Sequence, residues 1–593
     1  MESSADNTVP KQAESVFIRE ILENPLMPNL PPELAEIAKF VSFEGNVKPS
    51  IPVNWRLAES ISALKAFEAT FLNYLAHRKY GVRPSNVSIN TDHATLFLMS
   101  PMLTQIEDRG EVRPFSPFDT LTAELFPNRD KHRANASLQR ALITNIYKTK
   151  DGRFYHTHGG MNPEPTLQAL GLPVEGEVQD TSEVVTDRIQ QRLSKYDATH
   201  LDHLLNEEHR QAGTIVYSSA EYFASEHGQK NGKVGLYEVI RDPNSSQPAA
   251  WWPDHPNAPS SPKRPLAGLK VVDLTRAIAG PTITRSLAEM GASVMRVTSP
   301  DITDMSVLHQ DLNWGKWNSW LRLDVESDRQ KLRDLILDAD VVVDSYRPGV
   351  MKRFGFGYDE VFNLVRDRSR GIIYVRENCY GWYGPWSHRS GWQQISDACC
   401  GISTSYGHAM GLEEPVTPAL FNSDYCTGIC GSTAVLDALV QRAEKGGSYR
   451  VDVSINYYNQ WLVRSVGTYD EHTWTDLFRR HDAPVFRHYH SMQYMLPKLL
   501  TALYKFDGEI LFQREFFGPF RSGALNTTFI QVRPIARFKD DAIELKYNVG
   551  TRGNGVDAPT WPADLRREIV RDEDEQGSGF RSGSGLGSGS IAD

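Results

Sequence analysis

The chain has 593 residues, 40% of them hydrophobic and 23% charged, with a formal net charge of -10 at pH 7. Its length implies roughly two to four domains, and the acidic balance argues against a nucleic-acid partner held by phosphate contacts. No apolar run of about 18 residues is present to cross a membrane, and five cysteines in so long a chain do not suggest a disulfide framework. The polar N-terminus lacks the apolar core of a secretory signal, so the expected setting is reducing and cytoplasmic.

Residues 1–50 are polar and contain proline, and are expected to form an extension. Residues 51–240 open with apolar positions at helical spacing over 55–80, free of internal Pro and Gly, with Gly81 placed to stop the helix. A short strand is expected at residues 87–90. A hairpin is expected in YKTKDGRFYHTHGG, turning at Asp151 and Gly152, and helix over 181–209. Residues 241–265 hold seven prolines and four serines, which read as a linker. From residue 266 to 460 the pattern becomes strand and helix in alternation. LKVVDL, ASVMRV, VVVDS and GIIYV are the strands, with helices over 282–290, 329–338 and 358–366. Such alternation predicts an α/β fold with a doubly wound parallel sheet. Residues 461–573 follow as a C-terminal segment, and 574–593 read as a disordered Gly/Ser tail.

The sequence also echoes itself. VSIN occurs at 87–90 and again at 453–456, each time after a long apolar helix ending in basic residues and glycine. Together they suggest two related copies of one unit. The offset that reaches Asp424 in the second copy reaches Ala58 in the first, so chemistry needing that aspartate occurs once per chain.

No phosphate loop, strand-linked GxGxxG or GxSxG elbow is present. The turn TRAIAGPT offers free backbone N–H groups at a helix start, which suit an anionic ligand; a plain turn is the bland alternative. Asp424, near the start of a long helix, reads on its own as a capping carboxylate. Cys399, Cys400, Cys426 and Cys430 read as small buried core thiols rather than metal ligands. His156 and His158 alternate on a strand and read as an exposed hairpin. No metal site is expected.

Four stretches in order resemble the family III CoA-transferases, which also contain the α-methylacyl-CoA racemases. They are LAGLKVVDLTRAIAGPTITRSLAEMGASVMRV, DADVVVDSYRPGVMKRFGFGYDEV, RGIIYVRENCYGWYGPW and ALFNSDYCTGICGSTAVLDALVQRAEKGGSYRVDVSI, covering about residues 265–460. The first half resembles the same family more faintly. The resemblance implies a Rossmann-like sheet with a smaller α+β domain, arranged here as a tandem with a degenerate first copy.

Under that resemblance Asp424 aligns with the family's nucleophile, which attacks an acyl-CoA thioester to give an aspartyl anhydride. CoA return would give an aspartyl thioester, from which an acceptor carboxylic acid takes CoA. Arg353 aligns with a residue contacting the CoA phosphates. Ala277, Ile278 and Ala279 form the loop whose backbone lies along CoA. Trp392 and Gln393 occupy the place of the racemases' histidine motif, and the resemblance counts them among the CoA-binding positions. An indole cannot shuttle a proton, which disfavours racemisation. The family's basic run reads Asn318-Ser319-Trp320 here, so that phosphate contact would be lost or shifted to Lys316. The partners implied are an acyl-CoA and a carboxylic acid, with CoA as substrate, no tightly bound cofactor and a possible homodimer. Two other readings are an epimerase with a different second base and a non-catalytic CoA-binding homologue.

Overall fold

The computed structural model describes residues 8–108, 110–116 and 119–572; the tail expected over 574–593 lies outside the described residues. Seven strands form the central sheet: β1 (Glu238–Arg241), β2 (Lys270–Leu274), β3 (Ser293–Thr298), β4 (Lys316–Trp320), β5 (Val341–Asp344), β6 (Ile373–Asn378) and β7 (Tyr449–Ser454). Their order is β4-β3-β2-β5-β6-β7-β1. All pairs are parallel except β7 with β1. Val271, Val272, Val341, Val342 and Val343 are fully buried. Near-continuous apolar runs are what a parallel sheet covered on both faces requires. The chain runs outward from β2 through β3 to β4, then returns to the other side of β2 and runs outward through β5, β6 and β7. The strand order therefore reverses between β2 and β5, where the carboxyl ends of an open sheet leave a crevice.

Three helices fill one face: α1 (Leu57–Tyr80), α2 (Ala279–Glu289) and α3 (Asn422–Lys445). Every residue from Leu57 to Ala76 is buried, so α1 is a helix enclosed on all sides rather than an amphipathic surface helix. Its interior charges are paired, with Lys65 Nζ 2.7 Å from Glu68 Oε2. The opposite face carries the helices Glu326–Asp338 and Tyr358–Leu364 over a second apolar core. A smaller α+β unit has its own core. The antiparallel strands Asn145–Lys148, Phe154–Thr157 and Gly213–Ile215 pack with the helices Leu138–Leu142 and Ser182–Leu193. The hairpin turns where the sequence places it, with Gly152 at φ +80°, a conformation that glycine adopts at little cost.

The segments do not behave as separate beads. Residues 9–50 are not an extension. Val9–Phe17 is a helix whose Val16 and Phe17 join the main core, together with Ile21. Pro at its start and an apolar face explain its docking, which polar composition alone hid. The Pro-rich stretch 241–265 is irregular but anchored. Trp252 is buried and its indole N–H donates to Ala267 O at 2.9 Å. Lys79 Nζ lies 3.5 Å from the Trp252 ring centroid. β1 precedes that stretch yet belongs to the same sheet as the strands after it. The C-terminal strands Phe517–Ser522 and Thr527–Val532 extend a sheet begun by Gln105–Asp108 and Glu111–Pro114. α1 and α3 each span 24 residues, and each leads to a strand followed by a helix with a side-chain cap.

Candidate active site

The crevice at the strand reversal is a cavity of about 940 Å³, lined by Ala277, Ile278, Ala279, Arg353, Trp392 and Asp424 among others. Six of the seven residues singled out from the sequence therefore meet at one place. Gln393 does not line it; it lies behind the start of α3.

The loops at the crevice are tied together by short polar groups. The Arg276 N–H donates to Ser345 Oγ at 3.1 Å, and that hydroxyl lies 3.1 Å from Arg276 O. A Cβ on Gly280 would collide with Ser345, so glycine is what lets α2 start against the β5 loop. Three guanidiniums at the cavity, Arg276, Arg347 and Arg353, have no acidic partner among the described residues. Burial holds the Arg347 guanidinium below its ordinary value, and the neighbouring Arg276 charge pushes the same way. An anion bound between them would relieve both effects.

Asp424 is the third residue of α3, inside its first turn rather than at the cap, and its side chain makes no capping bond. The turn is fixed from beneath. Asp424 N donates to Gln393 Oε1 at 3.3 Å, and Gln393 Nε2 is 3.3 Å from Asp397 Oδ2. Ser423 Oγ is 2.7 Å from Asp397 Oδ1, and Asn459 Nδ2 donates to the same oxygen at 2.9 Å. No hydrogen bond or ion pair among the described residues occupies the Asp424 carboxylate. Burial pushes that carboxyl up to about 7, with the Asp397 charge adding to the rise. Proximity to a helix N-terminus favours the anion, but desolvation outweighs it here.

Trp392 stacks on His158 at 5.2 Å and an interplanar angle of 6°. His156 and His158 are buried, not exposed on a hairpin. Their strand is covered by the helix Gln393–Cys399, which local alternation could not reveal. His158 is engaged at both nitrogens: Nδ1 accepts from Gly160 N at 2.8 Å, and Nε2 lies 3.3 Å from Gln394 Oε1. Burial lowers it to about 3, so it stands as a neutral wall rather than a proton shuttle. Lys316 is likewise not at the cavity. It is fully buried, with Nζ 3.0 Å from Asp273 Oδ2 and 2.9 Å from Pro281 O. The cysteines are all buried and unpaired.

Sequence reasoning missed Glu377, which lines the same cavity. Its signal was the alternation Ile373, Val375, Glu377, which puts an acid on the buried face of a strand. It also missed Arg276 and Arg347, and it missed Asp397, whose role depends on a contact between two helices.

Residues 266–485 match the family model for CoA-transferase family III. An acyl-CoA transferase of Gibberella moniliformis (strain M3125 / FGSC 7600) is 29% identical over 520 residues, covering 86% of this chain and 88% of that protein. An acetyl-CoA:oxalate CoA-transferase of Acetobacter aceti is 31% identical over 208 residues, covering 33% of this chain and 52% of that one. Apart from the Gibberella protein, the chain spans about half the length of the curated relatives it matches. A crystal structure of a hypothetical protein (Rv3272) from Mycobacterium tuberculosis is 28% identical over 35% of this chain and 57% of that one, with a TM-score of 0.30, too low to bear on the fold. The likeness to the family III CoA-transferases is carried by residues 266–485. Among the described residues no helix is long and apolar enough to cross a membrane.

Proposed function

We propose that the protein moves CoA between an acyl-CoA thioester and a carboxylic acid, with Asp424 as the nucleophile. The observation that carries the reading is a carboxylate that has no hydrogen-bond partner among the described residues, at a cavity that also presents three guanidiniums with no acidic partner among them. The guanidiniums suit the phosphates of CoA, and the backbone of Ala277, Ile278 and Ala279 offers the wall along which the thioester arm would lie. Asp424 attacks the thioester carbonyl and gives an acyl-aspartyl anhydride with loss of CoA. CoA attacks the aspartyl carbonyl to release the acid and leave an aspartyl-CoA thioester. The acceptor carboxylate attacks this thioester and expels CoA to form a second anhydride, and CoA then attacks the acceptor's acyl carbon, which frees the Asp424 carboxylate and leaves CoA on the acceptor. Backbone N–H groups at the start of α3 stabilise each tetrahedral oxyanion.

The same reading takes Gln393 as a positioning residue for α3 rather than a contact to CoA. It takes the two 24-residue helices as parts of two related copies, the first without a nucleophile. It also takes the chain as a protein of a reducing, cytoplasmic setting that works alone or as a homodimer. The test is exchange of labelled CoA between an acyl-CoA and a panel of carboxylic acids. Asp424→Ala is expected to lose about 10³-fold or more of the exchange rate. Full turnover by that variant contradicts the reading. Exchange of the α-proton of a branched acyl-CoA in D₂O, with no acceptor acid, would support epimerisation instead.

A further inference from the structure

Glu377 sits one residue before the carboxyl end of β6. Strand alternation places it on the face of Ile373 and Val375, both packed in the main core with residues of α2 and α3. It is 7% exposed, it lines the cavity with Asp424, and among the described residues no donor or cation pairs with its carboxyl. A buried, unpartnered acid is stable chiefly in its protonated form. The Asp424 charge opposes a second charge at Glu377, so Glu377 holds its proton to a higher pH than Asp424 does.

We propose that Glu377 is the acid that protonates the departing CoA sulfur, and the base that recovers this proton when CoA returns. The inference rests on Asp424 as nucleophile in CoA transfer. In the first step the Asp424 carboxylate forms a C–O bond to the acyl carbon while the C–S bond breaks. The sulfur leaves with the bonding electron pair and takes the Glu377 proton. Acyl-CoA, Asp424 carboxylate and Glu377 acid become acyl-aspartyl anhydride, CoA thiol and Glu377 carboxylate, with one negative charge before and after. Burial lifts Glu377 to about 8, with the Asp424 charge the next contribution and that of Asp344 the third. A free thiol titrates near 8.5, so donor and leaving group are matched, the condition under which general acids act best. Acylation also removes the Asp424 charge, which makes Glu377 a stronger acid as the thiolate forms.

The experiment follows CoA thiol release by the full chain in a single turnover without acceptor acid. The donor is whichever of acetyl-, succinyl- and octanoyl-CoA reacts fastest. The wild type is expected to show a rate that falls above about pH 8. Glu377→Gln is expected to release thiol about 10²- to 10⁴-fold more slowly and to lose that alkaline limb, while its Kd for CoA stays within about threefold of the wild type. Release by Glu377→Gln at the wild-type rate with the same limb overturns the proposal. Where that variant does not fold, the wild-type profile decides, and a rate that does not fall up to pH 10 overturns it. Failure of the Asp424 reading shows separately, as wild-type release by Asp424→Ala or as no release from any donor by the wild type.

Discussion

At the scale of the residue, the site is governed by desolvation of acids beside guanidiniums that lack acidic partners among the described residues. Asp424 titrates near 7 where an ordinary aspartate titrates near 3.8. The native protein therefore keeps a proton that the unfolded chain releases between those values. It binds more protons than the unfolded state in that window, so this group makes stability fall as pH rises through it. Asp424→Asn removes the loss. Its melting temperature is expected to exceed that of the wild type at pH 8, with the gap closing toward pH 4. A difference that does not change with pH would contradict the assignment. Arg347 gives a second prediction. Arg347→Ala should weaken CoA binding about tenfold, or roughly 1.4 kcal/mol, with the loss smaller at high salt because exposed parts of the phosphate contact are screened. Calorimetric titration at two salt concentrations measures it.

At the scale of the element, α3 sets the position of Asp424, and its approach to α2 sets the position of α3. A Cβ on Gly428 would collide with the Thr282 side chain, and one on Gly431 would meet Ile283 Cδ1 at 2.6 Å. Both glycines face α2, one and two turns beyond Asp424. Gly428→Val should push the helices apart and cost about 1–3 kcal/mol as overpacking, with loss of CoA transfer exceeding any loss of CoA affinity. Thermal unfolding with separate kcat and KM measurements tests this. The elements of the sheet were legible because their physics is local. Lys270–Leu274, Ser293–Thr298, Val341–Asp344 and Ile373–Asn378 are short apolar runs between helical periods, and each strand lies within about three residues of its expected place. Asn318–Trp320 was harder: the stretch is polar and aromatic, yet it forms most of edge strand β4.

At the scale of the whole molecule, one apolar core unites Phe17, residues of α1 and residues of α2 and α3. His158, Gly159, Gly160, Met161 and Asn162 supply a cavity wall opposite residues from beyond 270. The family-matched stretch is therefore not an autonomous half. A fragment beginning at residue 266 would expose the face that α1 covers, and it is expected to aggregate and bind no CoA. Soluble, monodisperse fragment with native CoA affinity would contradict this. Such unity was not legible in the sequence. Composition marked residues 1–50 and 241–265 as extension and linker, but β1 pairs with β7 from far along the chain, and Val9–Phe17 docks on α1. The site was legible in part for the same reason. Asp424, Arg353 and the loop from Ala277 to Ala279 lie in motifs, whereas Glu377, Asp397 and His158 join the site only through packing.

The most direct test of the central claim is hydroxylamine trapping during turnover, followed by peptide mass spectrometry. Acylation of Asp424 predicts a hydroxamate on the peptide that spans residues 422–428, formed only when acyl-CoA is present. Turnover with no hydroxamate at Asp424, or a trapped acyl group on another side chain, would contradict the account.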